Sequence, residues 1–369
     1  MLPLVQFVHR PGLVDLSWGH PRPALLPVEE WAQASAAAFR GYGSSALTYG
    51  FAAGPGPLVE WLAARLRVPA EEFFVSAGAS QALELLCAVL VSRDDTVLVD
   101  APTYHLALRI LGDHAGSVVP VPDLDQLDAA VAELRAAGRR VPLLYLVPTY
   151  GNPTGASLRG RAELVAAARR LGLTIVEDDT YRELSFTGEP PVALYDLAGS
   201  AGPVVRIGSF AKSVAPGLRL GWVNAPPALI TQLVERGYVF SGGGVNHATA
   251  LAMAEFGASG AYDAHLARVR TAYAAQRDAL VSALRADAPG LTFEVPGGGW
   301  FVWVRLPAGR DAEALLPGAE ECGVSYVPGT RFGGDPAYLR LSFSMLDRAT
   351  LEDGARRLAA AMARRPPRS

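Results

Sequence analysis

Ser209-Phe210-Ala211-Lys212-Ser213-Val214-Ala215-Pro216-Gly217-Leu218-Arg219 contains the single lysine of this 369-residue chain. Lysine is ordinarily among the commonest residues, yet here arginine supplies every other cationic side chain apart from six histidines. Of the two, only lysine can lose its proton when desolvated and attack a carbonyl carbon, because a guanidinium stays charged at any accessible pH. Drift from lysine to arginine across a GC-rich genome would also leave few lysines, but the setting favours chemistry. Ser209, three residues before the lysine, and Pro216-Gly217-Leu218-Arg219 after it make a loop with several anion donors. The stretch reads as an imine-forming amine placed beside a phosphate-binding loop.

Outward from this loop, short β-rich runs alternate with helical stretches. The runs are Phe73 to Ser76, Thr96 to Val99, Ser117 to Val121, Leu143 to Val147, Thr174 to Glu177 and Val204 to Ile207. Between them lie Ser80 to Val91, Leu124 to Ala137 closed by Gly138, and Arg159 to Leu171 closed by Gly172. This alternation predicts an α/β fold with a mostly parallel sheet and helices on both faces, and ligand chemistry at the carboxyl ends of its strands. A long amphipathic stretch from about Tyr262 to Ala286 leads to a smaller α+β lobe. In that lobe Leu291 to Val295, Trp300 to Leu306 and Tyr338 to Phe343 read as strands, and Leu351 to Ala363 as a terminal helix. The expected division is an amino-terminal arm with part of the small domain over 1–40, a large domain over 41–262, and a linking helix with the carboxy-terminal small domain over 263–369.

Length and a 50% hydrophobic content allow more than one core. The net charge of −3, without basic runs, argues against nucleic acid as a partner. Cys87 and Cys322, in apolar helical stretches and without close spacing, read as small core residues and not as a zinc or disulfide framework. The six histidines show no metal-ligand spacing. No run reaches eighteen apolar residues, and the amino terminus does not have the pattern of a signal segment, so the expectation is a cytoplasmic protein that does not span a membrane. The glycine clusters at 242–244 and 297–299 read as turns or helix entries.

Four segments occur in order: Gly78-Ala79-Ser80-Gln81 after a strand, Val147-Pro148-Thr149-Tyr150-Gly151-Asn152-Pro153-Thr154-Gly155, Asp178-Asp179-Thr180-Tyr181 at a strand end, and the Lys212 loop. With Tyr338-Leu339-Arg340-Leu341-Ser342-Phe343-Ser344 they resemble the fold-type I aminotransferases that use pyridoxal phosphate (PLP), in the branch of the 2-aminoadipate and kynurenine aminotransferases. The resemblance spans nearly the whole chain. It implies a PLP-binding large domain, a homodimer with shared active sites, and an amino acid and a 2-oxo acid as substrates.

The resemblance also assigns roles. Lys212 would form the internal aldimine, and Asp178, three residues before Tyr181, would hold the pyridine nitrogen protonated so that the ring acts as an electron sink. Tyr181 and Asn152 would reach the cofactor phenolate, and Asn152 the substrate carboxylate as well. Tyr104 would stack on the pyridine. Gly78, Ala79, Ser80, Ser209 and Arg219 would cradle the phosphate where a strand turns into a helix, joined by Tyr49 from the neighbouring subunit. Arg340 would take the substrate carboxylate with a two-pronged fork, and Gly19 would lie near substrate. The chain departs from the pattern at Ala79 and Ala211, where serine is common, and at His20, where leucine is common; His20, Asn246 and His247 are possible pocket contacts. Two alternatives remain open. One is a different PLP reaction (decarboxylation, elimination, aldol cleavage or cyclisation). The other is a cofactor-sensing domain like those fused to winged-helix regulators, whose basic DNA-binding segment is not seen here.

Overall fold

The structure, a computed structural model, describes residues 10–364; the amino-terminal segment with His9 and the basic tail after Arg364 lie outside the described residues. A seven-stranded sheet forms the larger layer. Its strands run in the order Phe73–Ser76, Gly221–Asn224, Val204–Ser209, Thr174–Asp178, Leu143–Leu146, Thr96–Asp100 and Ser117–Val121. All pairings are parallel except those of Gly221–Asn224, which is antiparallel to both neighbours. Strands 73–76, 143–146 and 204–209 are buried at every residue, the pattern of a sheet covered on both faces by helices.

The six predicted strands of this sheet are present, and Gly221–Asn224 is an addition. The sequence does not announce it, because it follows Arg219 after one residue, where the loop signals dominate. Its placement is decisive, since its register aligns Gly221 with Ser76 on one side and Ser209 on the other. The predicted helices fall at Ala79–Leu90, Leu127–Ala136 and Arg161–Leu171, with Gly138 and Gly172 in the left-handed region just past two of them. Cys87 is buried in the first, whereas Cys322 sits just beyond helix Ala312–Glu321.

Helix Ala261–Asp287 has 27 residues and a length of about 40 Å. It leads to an antiparallel sheet ordered Val327–Pro328, Tyr338–Ser342, Phe301–Arg305, Thr292–Phe293, against which helix Arg348–Ala363 closes the chain. The strand expected over Leu291 to Val295 is reduced to Thr292–Phe293, because Glu294 and Val295 are exposed and the chain turns at Pro296 into the glycine run. The early segment Val14–Asp15 pairs in parallel with Val324–Ser325. Among the described residues no helix is long and apolar enough to cross a membrane, and no cluster of acidic, histidine and cysteine side chains could hold a metal.

The glycine clusters do more than turn the chain. A side chain on Gly298 would run into the Leu184 carbonyl and the Tyr150 ring, and Gly299, at φ 71°, lies with its Cβ position 2.9 Å from Tyr150 Cβ. Gly243 and Gly244 press on the backbones of Gly50 and Phe51 in the same way, after helix Gly237–Gly242.

Candidate active site

The carboxyl ends of the central strands bring most of the predicted residues together. Lys212 follows strand 204–209, and its Nζ donates to the Gly19 carbonyl at 3.4 Å. Its amine also lies over the rings of Trp300, 4.6 Å from the centroid, and Tyr181, 5.7 Å away. Desolvation, reinforced by the charges of Arg340 and Arg219 and opposed by Asp178, brings its pKa down to about 8. This is the tuning an amine nucleophile needs.

Asp178 ends the neighbouring strand and is buried. Its carboxyl accepts a hydrogen bond from Tyr145 at 2.8 Å and one from the Thr180 amide at 3.3 Å. Burial raises its pKa and those two bonds oppose the rise. Asp179, also buried, sits among the charges of Arg182, Arg206 and Arg161, with Arg182 Nε 3.7 Å away. Adjacent residues of an extended chain point to opposite sides, so the two acids serve different surroundings.

Arg340, on strand 338–342, donates from Nη1 to Asn152 Oδ1 at 2.7 Å and from Nη2 to the Ser17 carbonyl at 2.5 Å. Its guanidinium lies between the rings of Phe301 and Phe332, at 4.2 and 4.8 Å. Burial lowers its pKa to about 10, with Tyr181 and Tyr104 pulling the other way. Tyr181 is buried edge-on to Trp300 and Phe301. Tyr104 caps helix His105–His114 within electrostatic reach of Asp178, Arg340 and Arg219. The loop over this centre is pinned through Ser17, Gly19 and His20, whose carbonyl accepts from Ser344 at 2.6 Å. Gly19 packs directly on Phe301, 2.7 Å from its Cβ position.

The residues expected to cradle an anion lie at the start of helix 79–90. Its cap, Gly78, has φ 87° and provides no side-chain hydrogen bond, leaving the amides of the first turn open to a ligand. Arg219 Nη2 lies 2.9 Å from the Gly78 Cβ position and donates to the Ala77 carbonyl at 3.2 Å. Ser209 Oγ accepts from the Ala211 amide at 3.1 Å. Ser80 is exposed at the helix start beside Ala79. Asn246 does not cap helix His247–Ala258 with its side chain; instead its amide holds the Arg219 carbonyl. His247 turns to the Ser45 carbonyl at 3.0 Å. A desolvated amine, a buried carboxylate and an uncapped helix start beside an arginine form a donor set that suits PLP.

Tyr49 is not gathered into this centre within its own chain, being 87% exposed. Arg10 is held by Asp15 and Glu320 at 2.9 and 2.7 Å. Sequence reasoning missed Tyr145 and Trp300. A lone tyrosine in Leu143-Leu144-Tyr145-Leu146 was the available signal, since a buried hydroxyl requires a partner.

Comparison with known proteins shows the family to which the chain belongs. Residues 11–358 match the family model described as aminotransferase class I and II. The 2-aminoadipate transaminase of Thermus thermophilus is 35% identical over 375 residues, covering 97% of this chain and 92% of that protein. Aromatic-amino-acid aminotransferase 1 of Thermococcus litoralis is 31% identical over 378 residues, covering 96% and 89%. The crystal structure of the alpha-aminoadipate aminotransferase of Thermus thermophilus, complexed with N-(5'-phosphopyridoxyl)-L-leucine, superposes with a TM-score of 0.86 at 34% identity, over 95% of this chain and 92% of that one. Fold and donor set together define a PLP-dependent enzyme of fold type I. The chain belongs to the class I and II aminotransferases.

Proposed function

We propose that this enzyme moves an amino group between an amino acid and a 2-oxo acid in a homodimer, with the roles assigned to its residues as follows. When bound, PLP supplies an aldehyde that condenses with amines and a ring that takes up the electron pair left on Cα. Lys212 holds the cofactor carbon and, once released, moves the proton between substrate and cofactor. Asp178 keeps the pyridine nitrogen protonated. Tyr181 and Asn152 hydrogen-bond the phenolate, and Tyr104 covers the ring. Gly78, Ala79, Ser80, Ser209 and Arg219 bind the phosphate, with Tyr49 reaching in from the partner. Arg340 releases the Ser17 carbonyl to grip the substrate carboxylate, with Gly19 alongside.

The observation that carries this reading is the sole lysine of the chain, its amine desolvated and within electrostatic reach of the Asp178 carboxylate and the Arg340 guanidinium. The reading extends to the domain division at 40 and 262 and to a cytoplasmic location. The supporting experiment is borohydride treatment of the yellow protein followed by peptide mass mapping. One cofactor fixed on Lys212 is expected, and a stable adduct elsewhere, or none in PLP-saturated protein, would reject the role. Loss of the cofactor absorbance as amino acids are added singly, beginning with 2-aminoadipate and the aromatic amino acids named for the relatives, then identifies the substrate. Retention of that absorbance with all amino acids, alongside release of carbon dioxide or another fragment, would point to one of the other PLP reactions.

A further inference from the structure

Trp300 is wholly buried, and of the Trp300 and Tyr181 rings it is the nearer to the reactive amine: Lys212 Nζ lies 4.6 Å from its centroid. The chain reaches this position over the strip Gly297-Gly298-Gly299, which lies against Tyr150 with no room for side chains at Gly298 and Gly299. The indole is then locked, edge-on, between Tyr181 at 5.9 Å and Tyr273 at 5.7 Å. A ring held this firmly presents a fixed face to the amine.

The other groups facing Lys212 divide clearly. Its desolvation and the charges of Arg340 and Arg219 disfavour a positive charge on the amine, and burial and that same charge lower the pKa of the His20 ring on the covering loop. The Gly19 carbonyl accepts one hydrogen bond. Asp178 attracts the ammonium, but on the proposed function its charge is committed to the pyridine nitrogen when PLP is bound. The π-face of Trp300, and more distantly that of Tyr181, favours the charged amine. A ring face suits a shuttle, because it attracts a cation without accepting its proton.

We propose that Trp300 is the seat of the ammonium form of Lys212, holding the charge while the amine carries the transferred proton. The Cα–H bond breaks, its electron pair stays with the substrate and cofactor, and the proton forms a new N–H bond on Lys212. That N–H bond then breaks as the proton passes to the cofactor carbon, returning Nζ to the neutral amine. Trp300 takes no proton at either stage. This inference rests on the shuttle role proposed for Lys212.

The chain's single lysine makes the test direct, since lysine labelled with carbon-13 at Cε yields one resonance from the protein sequence. The enzyme is loaded with pyridoxamine phosphate, which leaves the Lys212 amine unlinked, and the resonance is followed against pH. Relative to wild type, Trp300→Leu is expected to lower the midpoint by about one pH unit and Trp300→Phe by less, as a cation–π contact in a desolvated site requires. A purely structural role would leave the midpoint in place. Midpoints unmoved or raised in the folded variants would overturn the proposal, and Trp300→Phe, the gentler change, decides it should Trp300→Leu fail to fold. The resonance titrates whether or not the enzyme transaminates, so failure of the proposed reaction is read separately, in the half-reaction with amino acids.

Discussion

Asp178 and Asp179 are neighbours in sequence and both buried, yet their surroundings assign them different work. Asp178 meets Tyr145 and the Thr180 amide, on the side of Lys212, whereas Asp179 neutralises a set of arginines. Asp178→Asn is therefore expected to lower turnover about 10²-fold or more with little change in stability, because a neutral amide does not hold a pyridinium. Asp179→Asn should instead act on stability, because Arg182, Arg206 and Arg161 lose a nearby acid, and leave the turnover of folded enzyme much less affected. Steady-state rates and thermal melts separate the two, and the reverse pattern would place the alignment one residue off. Tyr145→Phe removes a hydrogen bond to a charged acceptor, worth about 1.5 to 3 kcal/mol. That bond lowers the Asp178 pKa, so its loss raises it. The acid limb of the pH–rate profile should move to higher pH, and an unmoved limb would exclude Tyr145 from positioning the acid.

At the scale of elements, the proposed phosphate cup depends on one helix start and one antiparallel strand. Gly221–Asn224 inserts between strands 73–76 and 204–209 and so brings Gly78, Arg219 and Ser209 to one edge. Gly78 has φ 87° and ψ 172°, a region open in practice only to glycine. Gly78→Ala would impose backbone strain of about 1 to 3 kcal/mol and set a methyl against the Arg219 guanidinium. PLP affinity, measured by fluorescence titration, should fall about tenfold or more, with a lower melting temperature for the cofactor-free chain. An unchanged affinity would show that the helix start does not hold the phosphate.

For the whole molecule, the relevant feature is an exposed group of large side chains: Leu47 at 75%, Tyr49 at 87%, Phe51 at 79% and Phe240 at 75%. The loop carrying the first three touches the segment just after the helix that carries Phe240, since the Gly244 amide donates to the Gly50 carbonyl at 3.3 Å. A surface of this kind marks an interaction face, and a twofold dimer would cover it isologously. Tyr49 would then serve the partner's site. Mixing Tyr49→Phe with Lys212→Ala, each first shown to be impaired, should give heterodimers with one doubly defective and one intact site, and activity above both parents. Verified subunit exchange without recovery would mean that Tyr49 acts in its own chain.

The sequence alone determined the alternating α/β plan, because short apolar β-rich runs and glycine-closed helices are local signals. It also marked Lys212 and its arginine-bearing loop through residue type and setting, while the resemblance to fold-type I aminotransferases marked Asp178, Asn152 and Arg340 as candidates. Helices such as His247–Ala258 escaped that reading, since residues 250–254, 256 and 257 are buried and leave no polar stripe to reveal a period. Only the tertiary structure decided that Tyr145 bonds Asp178 from the adjacent strand, that Asn246 holds Arg219, and that Trp300 lies beneath Lys212. The reason is physical. These contacts join residues 27 to 88 positions apart, and such pairings are fixed by strand register and close packing, which no local pattern encodes.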